Sequence, residues 1–143
     1  MVDALNQNLA VVLRYFEACN TGDLEELKAT LHPEVVHYFL PVSFPRIEGA
    51  EHLARYWRKY KLALDPVWKI DCIIGQDQLV VSEWSCLWTD PASSRRVMSR
   101  GTEWYEMRDG LIAEIRAYFV AGEGGSELSD FPYAKRQYLA RAE

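Results

Sequence analysis

A chain of 143 residues, 49% hydrophobic and 26% charged, has the size and composition of one globular domain with one core. Its formal net charge is −5 and its 16 basic residues are spread along the chain, which argues against a nucleic-acid partner or an anionic membrane. No charged leader segment or span of roughly 20 apolar residues is present, so we expect a cytoplasmic protein with no membrane partner.

Three helices are predicted in the N-terminal half, over residues 3–19, 24–31 and 49–60. The first has apolar residues at three- and four-residue spacing, with Asp3 as its N-cap and Gly22 as its stop. Asp23 caps the second helix, and Pro33 ends it. Gly49 opens the third, which carries one apolar side formed by Leu53, Tyr56, Trp57 and Tyr60.

Most of the remaining chain reads as sheet. Strands are predicted at residues 35–40, 67–74, 79–89, 96–107 and 111–120. Asp109-Gly110 is a strong signal for a two-residue hairpin, while residues 75–77 and 90–94 mark the other turns. This order predicts one α+β domain with helices on one face of an antiparallel sheet. Its core ends near residue 121, and residues 122–129 form a loop before a short helix at 132–142, which could be a lid or a dimer contact.

Aromatic residues make up 13% of the chain, with five tryptophans and eight tyrosines. Buried Trp and Tyr need partners for their polar atoms, so this content indicates either a cavity that accepts a ligand or a core of large side chains. Cys19, Cys72 and Cys86 lie in apolar helix or strand patterns without CxxC spacing, and we expect buried free thiols.

Several segments in order resemble the ketosteroid isomerase and SnoaL-like polyketide cyclase superfamily, which has the nuclear transport factor 2-like fold. They are the run Arg14-Tyr15-Phe16-Glu17-Ala18-Cys19-Asn20-Thr21-Gly22-Asp23-Leu24, the early strand followed by Pro41, the helix at Gly49, and Gly110-Leu-Ile-Ala-Glu-Ile-Arg-Ala-Tyr-Phe. The resemblance extends to Phe119. It implies a cone in which a curved antiparallel sheet wraps the long first helix around a deep pocket. It also implies a homodimer formed through the outer face of the sheet.

The resemblance also implies site residues. In the steroid isomerases a tyrosine of the first helix and an acid on a late strand donate hydrogen bonds to the substrate oxyanion, and an aspartate on the early strand moves the proton. Tyr15 and Glu103 match the first two positions, but Phe39 occupies the third and cannot move a proton. Steroid isomerase activity is therefore disfavoured. His37 points to the same strand face as Phe39 and is the substitute base, unless a neighbouring group satisfies its imidazole.

Two glutamates leave alternatives open. Glu103 shares a strand face with Tyr105 and Met107, where desolvation would raise its pKa, although an ion pair with Arg95, Arg100 or Arg116 is the alternative. On the preceding strand, either Glu83 faces inward beside Glu103, or Trp84 and Trp88 do, and we prefer the tryptophans. The candidate pocket walls are Phe39, Tyr56, Trp57, Trp68, Trp84, Tyr105 and Tyr118.

Three functions follow. The first is a cofactor-independent isomerase, cyclase or dehydratase that acts on a small hydrophobic carbonyl compound with Tyr15, His37 and Glu103. The second is a non-catalytic binding or assembly module with the same fold. Epoxide hydrolysis ranks last. The epoxide hydrolases that this superfamily includes use an Asp-Arg-Asp set, and Ala117 occupies a position where their pattern has an aspartate. Three histidines without paired spacing and the absence of a nucleotide fingerprint predict no metal and no cofactor.

Overall fold

The computed structural model describes residues 4–40, 44–120 and 126–141. The elements of this part of the chain are α1 Ala4–Thr21, α2 Leu24–Thr30, β1 Leu31–Phe39, β2 Ile47–Glu48, α3 Ala50–Leu64, β3 Val67–Gln76, β4 Leu79–Thr89, β5 Arg96–Arg108 and β6 Leu111–Phe119. The predicted α+β class is confirmed. None of these helices combines the length and apolar character of a membrane span.

The helix boundaries follow local capping. Asp23 Oδ1 accepts hydrogen bonds from the backbone N–H groups of Glu25 and Glu26 at 3.0 and 3.1 Å, which confirms it as the N-cap of α2. Helix α2 ends one residue early, and Pro33 lies within β1 instead of ending a helix. Helix α3 runs four residues past its predicted end, because the chain turns only at Asp65, which has a left-handed conformation. Asp3, the predicted N-cap of α1, lies outside the described residues.

The six strands form one sheet in the order β2-β1-β6-β5-β4-β3. Strand β1 runs parallel to β6 and all other neighbours are antiparallel, so the sheet is mixed where the sequence predicted an antiparallel one. The hairpin at Asp109-Gly110 is confirmed, with positive φ at both residues. At the β3–β4 turn the left-handed residue is Asp77, and Gly75 and Gln76 belong to β3 instead of the turn.

A bulge on β3 reverses the direction of one cysteine. Ile70 pairs with the inward Trp84, but Cys72 pairs with the outward Glu83, because one extra residue stands between them. Without the bulge, Cys72 would share the inward face of Ile70. The structure therefore exposes Cys72, against the prediction of a buried thiol, while Cys19 and Cys86 are buried as free thiols.

The C-terminal segment, residues 126–141, packs against the outer face of the sheet. Residues 133–137 form turns and residues 138–141 are irregular, where the sequence predicted a short helix over 132–142, and Gln137 has a left-handed conformation that prevents helical continuation. Arg100 anchors this segment: its guanidinium donates to the Leu139 carbonyl oxygen and to Glu127, and it stacks 3.6 Å from the centre of the Tyr133 ring. Helices α1 and α3 pack against the inner face of the same sheet, and the hydrophobic core lies between the helices and that face.

Candidate functional site

A cavity of about 260 Å³ lies between α3 and the inner face of the sheet. Its lining is mostly aromatic, since the inward positions of four strands and one side of α3 carry large rings. The lining residues are Phe39, Phe44, Tyr56, Trp57, Tyr60, Leu64, Trp68, Trp84, Cys86, Trp88, Ser99, Glu103, Ala117 and Phe119. Glu103 is the only carboxyl group in this lining, and no Arg, Lys or His side chain of the described residues belongs to it.

Glu103 projects inward from β5 and is 4% exposed. The Tyr105 hydroxyl donates a hydrogen bond of 2.6 Å to its Oε2 atom. Burial raises the pKa of the Glu103 carboxyl to about 7, although the bond from Tyr105 acts in the opposite direction. The described ion pairs do not include Glu103, and Arg100 lies on the opposite face of β5. The carboxyl is therefore divided between its neutral and ionised forms near neutral pH.

Tyr15 lies on α1 close to Glu103 and Trp57 and is almost completely buried. Its hydroxyl has no hydrogen-bond partner among the described residues. Burial raises the pKa of this phenol well above its ordinary value, and the nearby Cys19 and Glu103 add to the effect. Tyr15 is a neutral donor near the carboxyl, but it stands behind the residues that line the cavity.

His37 is fully buried on β1, on the same face as Phe39. The two rings stack with their centres 4.0 Å apart, and Trp57 meets the imidazole edge-on at 5.6 Å. Burial lowers the pKa of His37 to about 3, so the imidazole is neutral at physiological pH. Phe39 lines the cavity and His37 does not, which places the histidine beneath the aromatic wall.

The structure places the seven predicted wall residues in three different positions. Of the predicted wall residues, Phe39, Tyr56, Trp57, Trp68 and Trp84 line the cavity. Tyr105 instead lies behind Glu103 and contacts its carboxyl. Tyr118 departs from its prediction: it points to the outer face and is 45% exposed, because its neighbours Ala117 and Phe119 take the inward positions of β6.

The structure also decides which face of β4 looks inward. Trp84 and Trp88 line the cavity, as preferred from the sequence. Glu83 faces outward and accepts a hydrogen bond from the Tyr138 hydroxyl. The carboxyl of Glu103 therefore has no second carboxyl beside it in the cavity lining that the structure describes.

Sequence reasoning missed several lining residues. Tyr60 and Leu64 continue the four-residue spacing from Tyr56 along one side of α3. Following this spacing to the observed end of α3 would have added both residues to the predicted lining. Ser99 shares the strand parity of Glu103 and could have been found from it. Phe44 lies in a connection without periodic pattern, and no sequence signal placed it here.

Comparison with known proteins assigns the chain to a family. The model of the SnoaL-like domain matches residues 12–115. The chain belongs to the SnoaL-like domain family. The predicted resemblance and the nuclear transport factor 2-like fold are thereby confirmed. No curated protein matches the sequence.

Solved structures similar to this SnoaL-like protein include proteins with different assigned functions. A protein of unknown function with a cystatin-like fold from Methylobium petroleophilum is 28% identical, with a TM-score of 0.72 over 96% of this chain and 94% of that one. An LEH-like epoxide hydrolase from M. tuberculosis is 23% identical, with a TM-score of 0.71 over 82% and 86% of the two chains. A putative polyketide cyclase from Xanthomonas campestris is 21% identical, with a TM-score of 0.71 over 82% and 93%. The last two likenesses establish the fold alone.

Proposed function

We propose that this SnoaL-like protein binds a small, flat, largely apolar carbonyl compound in the aromatic cavity and exchanges a proton with it through Glu103, without a cofactor. One observation carries the proposal: a single buried carboxyl, with its pKa raised to about 7, lies in the wall of an otherwise apolar and aromatic cavity. A carboxyl with a pKa near the working pH can both take up and return a proton.

The cavity size restricts the ligand. Pockets for drug-sized ligands occupy about 300–1,000 Å³, and this cavity holds about 260 Å³. A compound of one or two rings therefore fits better than a four-ring steroid. Aromatic walls such as Trp68 and Trp84, whose ring centres are 4.9 Å apart, favour a flat molecule that can stack or meet them edge-on.

The proposed reaction is proton transfer next to a carbonyl group. The Glu103 carboxylate removes a proton from the carbon beside the carbonyl, and the electrons of the broken C–H bond form an enolate. The protonated carboxyl then returns the proton to the same carbon or to a conjugated one, which gives exchange or isomerisation. Tyr15 is the candidate donor to the enolate oxygen, because its neutral hydroxyl is buried near Glu103; this role requires the bound compound to reach past the lining residues, since Tyr15 itself does not line the cavity.

We assign proton transfer to Glu103 instead of His37, the base favoured by the sequence. A histidine with a pKa of about 3 is a weak base at neutral pH, and the Phe39 ring lies between it and the cavity. The catalytic roles of Tyr15 and His37 stay predictions. The variants Tyr15→Phe and His37→Ala test them. We expect roughly 100-fold slower turnover in Tyr15→Phe and no comparable loss in His37→Ala.

Hydrogen exchange in D₂O tests the proposal directly. NMR would follow loss of the hydrogens beside the carbonyl in cyclohexenone, 1-indanone and 1-tetralone, with progesterone as a four-ring comparison. We expect exchange with the smaller ketones, and loss of roughly 100-fold or more in Glu103→Gln. Ala117→Leu would fill the cavity and abolish binding, while Ala113→Leu on the outer part of the same strand serves as the control. Undiminished exchange in Glu103→Gln would contradict the assignment.

A non-catalytic binding module is the second candidate. Phe39, in place of the proton-moving aspartate of the steroid isomerases, favours it. Its signature is ligand binding that Ala117→Leu removes, with no exchange above the uncatalysed rate. Epoxide hydrolysis is disfavoured further, because neither Asp nor Arg occurs among the described residues lining the cavity, and Ala117 is one of them.

We also propose a homodimer through the part of the outer sheet face that the C-terminal segment leaves open. Tyr38, Arg116, Trp104, Val81 and Ile74 stand in one row across five strands. Three of them are exposed apolar side chains, Tyr38, Trp104 and Ile74. Light scattering after size exclusion should give a dimer for the native chain and a monomer for Trp104→Glu. A native monomer would refute the pairing.

A further inference from the structure

We propose that Tyr105 and Ser82 are positioning residues that hold Glu103 by its Oε2 atom and so direct the exchangeable proton to Oε1. This inference rests on the proposed role of Glu103 and adds the atom at which the proton moves. It also gives Tyr105, which the sequence placed in the cavity wall, a different task.

A chain of three buried side chains supports the inference. Tyr105 lies two residues after Glu103 on the same inward face of β5 and is fully buried. Its hydroxyl oxygen is 2.6 Å from Glu103 Oε2 and 2.8 Å from Ser82 Oγ. Ser82 is 1% exposed and stands opposite Glu103 in the register of β4 and β5. Neighbouring strands therefore fix all three groups.

The number of hydroxyl hydrogens decides the direction of these bonds. Tyr105 has one hydroxyl hydrogen, and burial keeps the phenol neutral by raising its pKa well above the ordinary value. If Ser82 donates to Tyr105 and Tyr105 donates to Oε2, the hydroxyl hydrogens of both Ser82 and Tyr105 have an acceptor. In the reverse direction, Glu103 donates to Tyr105 and Tyr105 donates to Ser82. The Ser82 hydrogen is then buried without an acceptor among the described residues, which is unfavourable.

The preferred direction has a consequence for the cavity. In a neutral carboxyl the carbonyl oxygen is a better acceptor than the hydroxyl oxygen, so the bond from Tyr105 to Oε2 favours a neutral Glu103 with its proton on Oε1. Oε1 forms no hydrogen bond with the described side chains, and Glu103 belongs to the cavity lining. The proton is therefore presented to a bound molecule instead of being shared within the wall.

Carboxyl titration tests this without any ligand. Side-chain ¹³C NMR between pH 5 and 9 would follow Glu103, assigned by its loss in Glu103→Gln. Tyr105→Phe removes the donor that favours the carboxylate, so the Glu103 midpoint should rise by roughly one pH unit. Ser82→Ala should raise the Glu103 midpoint by less. Ser82→Thr keeps the hydroxyl, so its midpoint should stay near the native value. Because Ser82→Ala changes a single small group, it provides the test if Tyr105→Phe fails to fold.

The pH profile of hydrogen exchange provides the second readout. Its midpoint should move upward together with the NMR midpoint in Tyr105→Phe and Ser82→Ala. Unchanged Glu103 midpoints in both variants would overturn the positioning role, even if Glu103→Gln is inactive. Shifted midpoints in a protein that exchanges none of the ketones would leave the positioning role standing and refute the proposed reaction.

Discussion

The buried carboxyl of Glu103 should make the protein less stable as the pH rises, and Glu103→Gln should remove this dependence. The unfolded chain releases the Glu103 proton near its ordinary pKa of about 4.3, whereas the folded chain holds it up to about pH 7. The folded state therefore binds more protons than the unfolded state throughout this window. Stability is lost between these two pKa values as the pH rises, and the loss is complete above about pH 7.

The expected magnitude follows from the width of that window. Each pKa unit corresponds to about 1.4 kcal/mol, so the folded and unfolded values imply a loss of about 3–4 kcal/mol between pH 4 and pH 8. Glutamine has a similar shape and retains an oxygen that can accept from Tyr105, but it does not titrate. The free energy of unfolding of Glu103→Gln relative to the native protein should therefore increase by this amount across the range.

Urea unfolding followed by tryptophan fluorescence would measure the difference at each pH. Comparing each variant with the native chain cancels the titration of all other groups, including His37. Glu17→Gln is the matched control, because Glu17 is an exposed glutamate on α1, and its difference from the native protein should stay nearly constant with pH. If the Glu103→Gln difference is equally flat, the carboxyl is not desolvated in the fold and the reasoning about the cavity is refuted.

Three further predictions concern other parts of the fold. Gly101→Ala would place a methyl group 2.6 Å from Trp84 Cζ2, so we expect destabilisation of about 1–3 kcal/mol in urea unfolding and a changed tryptophan spectrum; an unchanged midpoint would contradict the close packing. Asp23→Ala should destabilise the protein by about 1 kcal/mol through loss of the α2 cap, while Asp23→Asn should retain most of that stability. Arg100→Ala should release the C-terminal segment and make amide hydrogen exchange at residues 126–141 roughly tenfold faster; uniform acceleration throughout the chain would indicate general destabilisation instead.

Local patterns in the sequence predicted the elements and much of the site. The spacing of apolar residues defined α1, the Asp23 side chain defined the start of α2, and Asp109-Gly110 defined a hairpin. Strand alternation then placed Glu103 and Tyr105 on one face. These features depend on hydrogen bonds and periods within a few residues, so the amino-acid sequence specifies them directly.

The tertiary structure decided what depends on distant segments. The parallel pairing of β1 with β6 joins strands far apart in the chain, and a bulge on an edge strand turned Cys72 outward. The titration of Glu103 and His37 likewise depends on burial by α1, α3 and the sheet together, because desolvation is the sum of all neighbours and not a property of either residue. Sequence alone therefore identified the family and a glutamate facing inward. Only the packing of the whole domain reveals the burial that raises the pKa of this carboxyl to about 7, whereas the histidine lies neutral beneath Phe39.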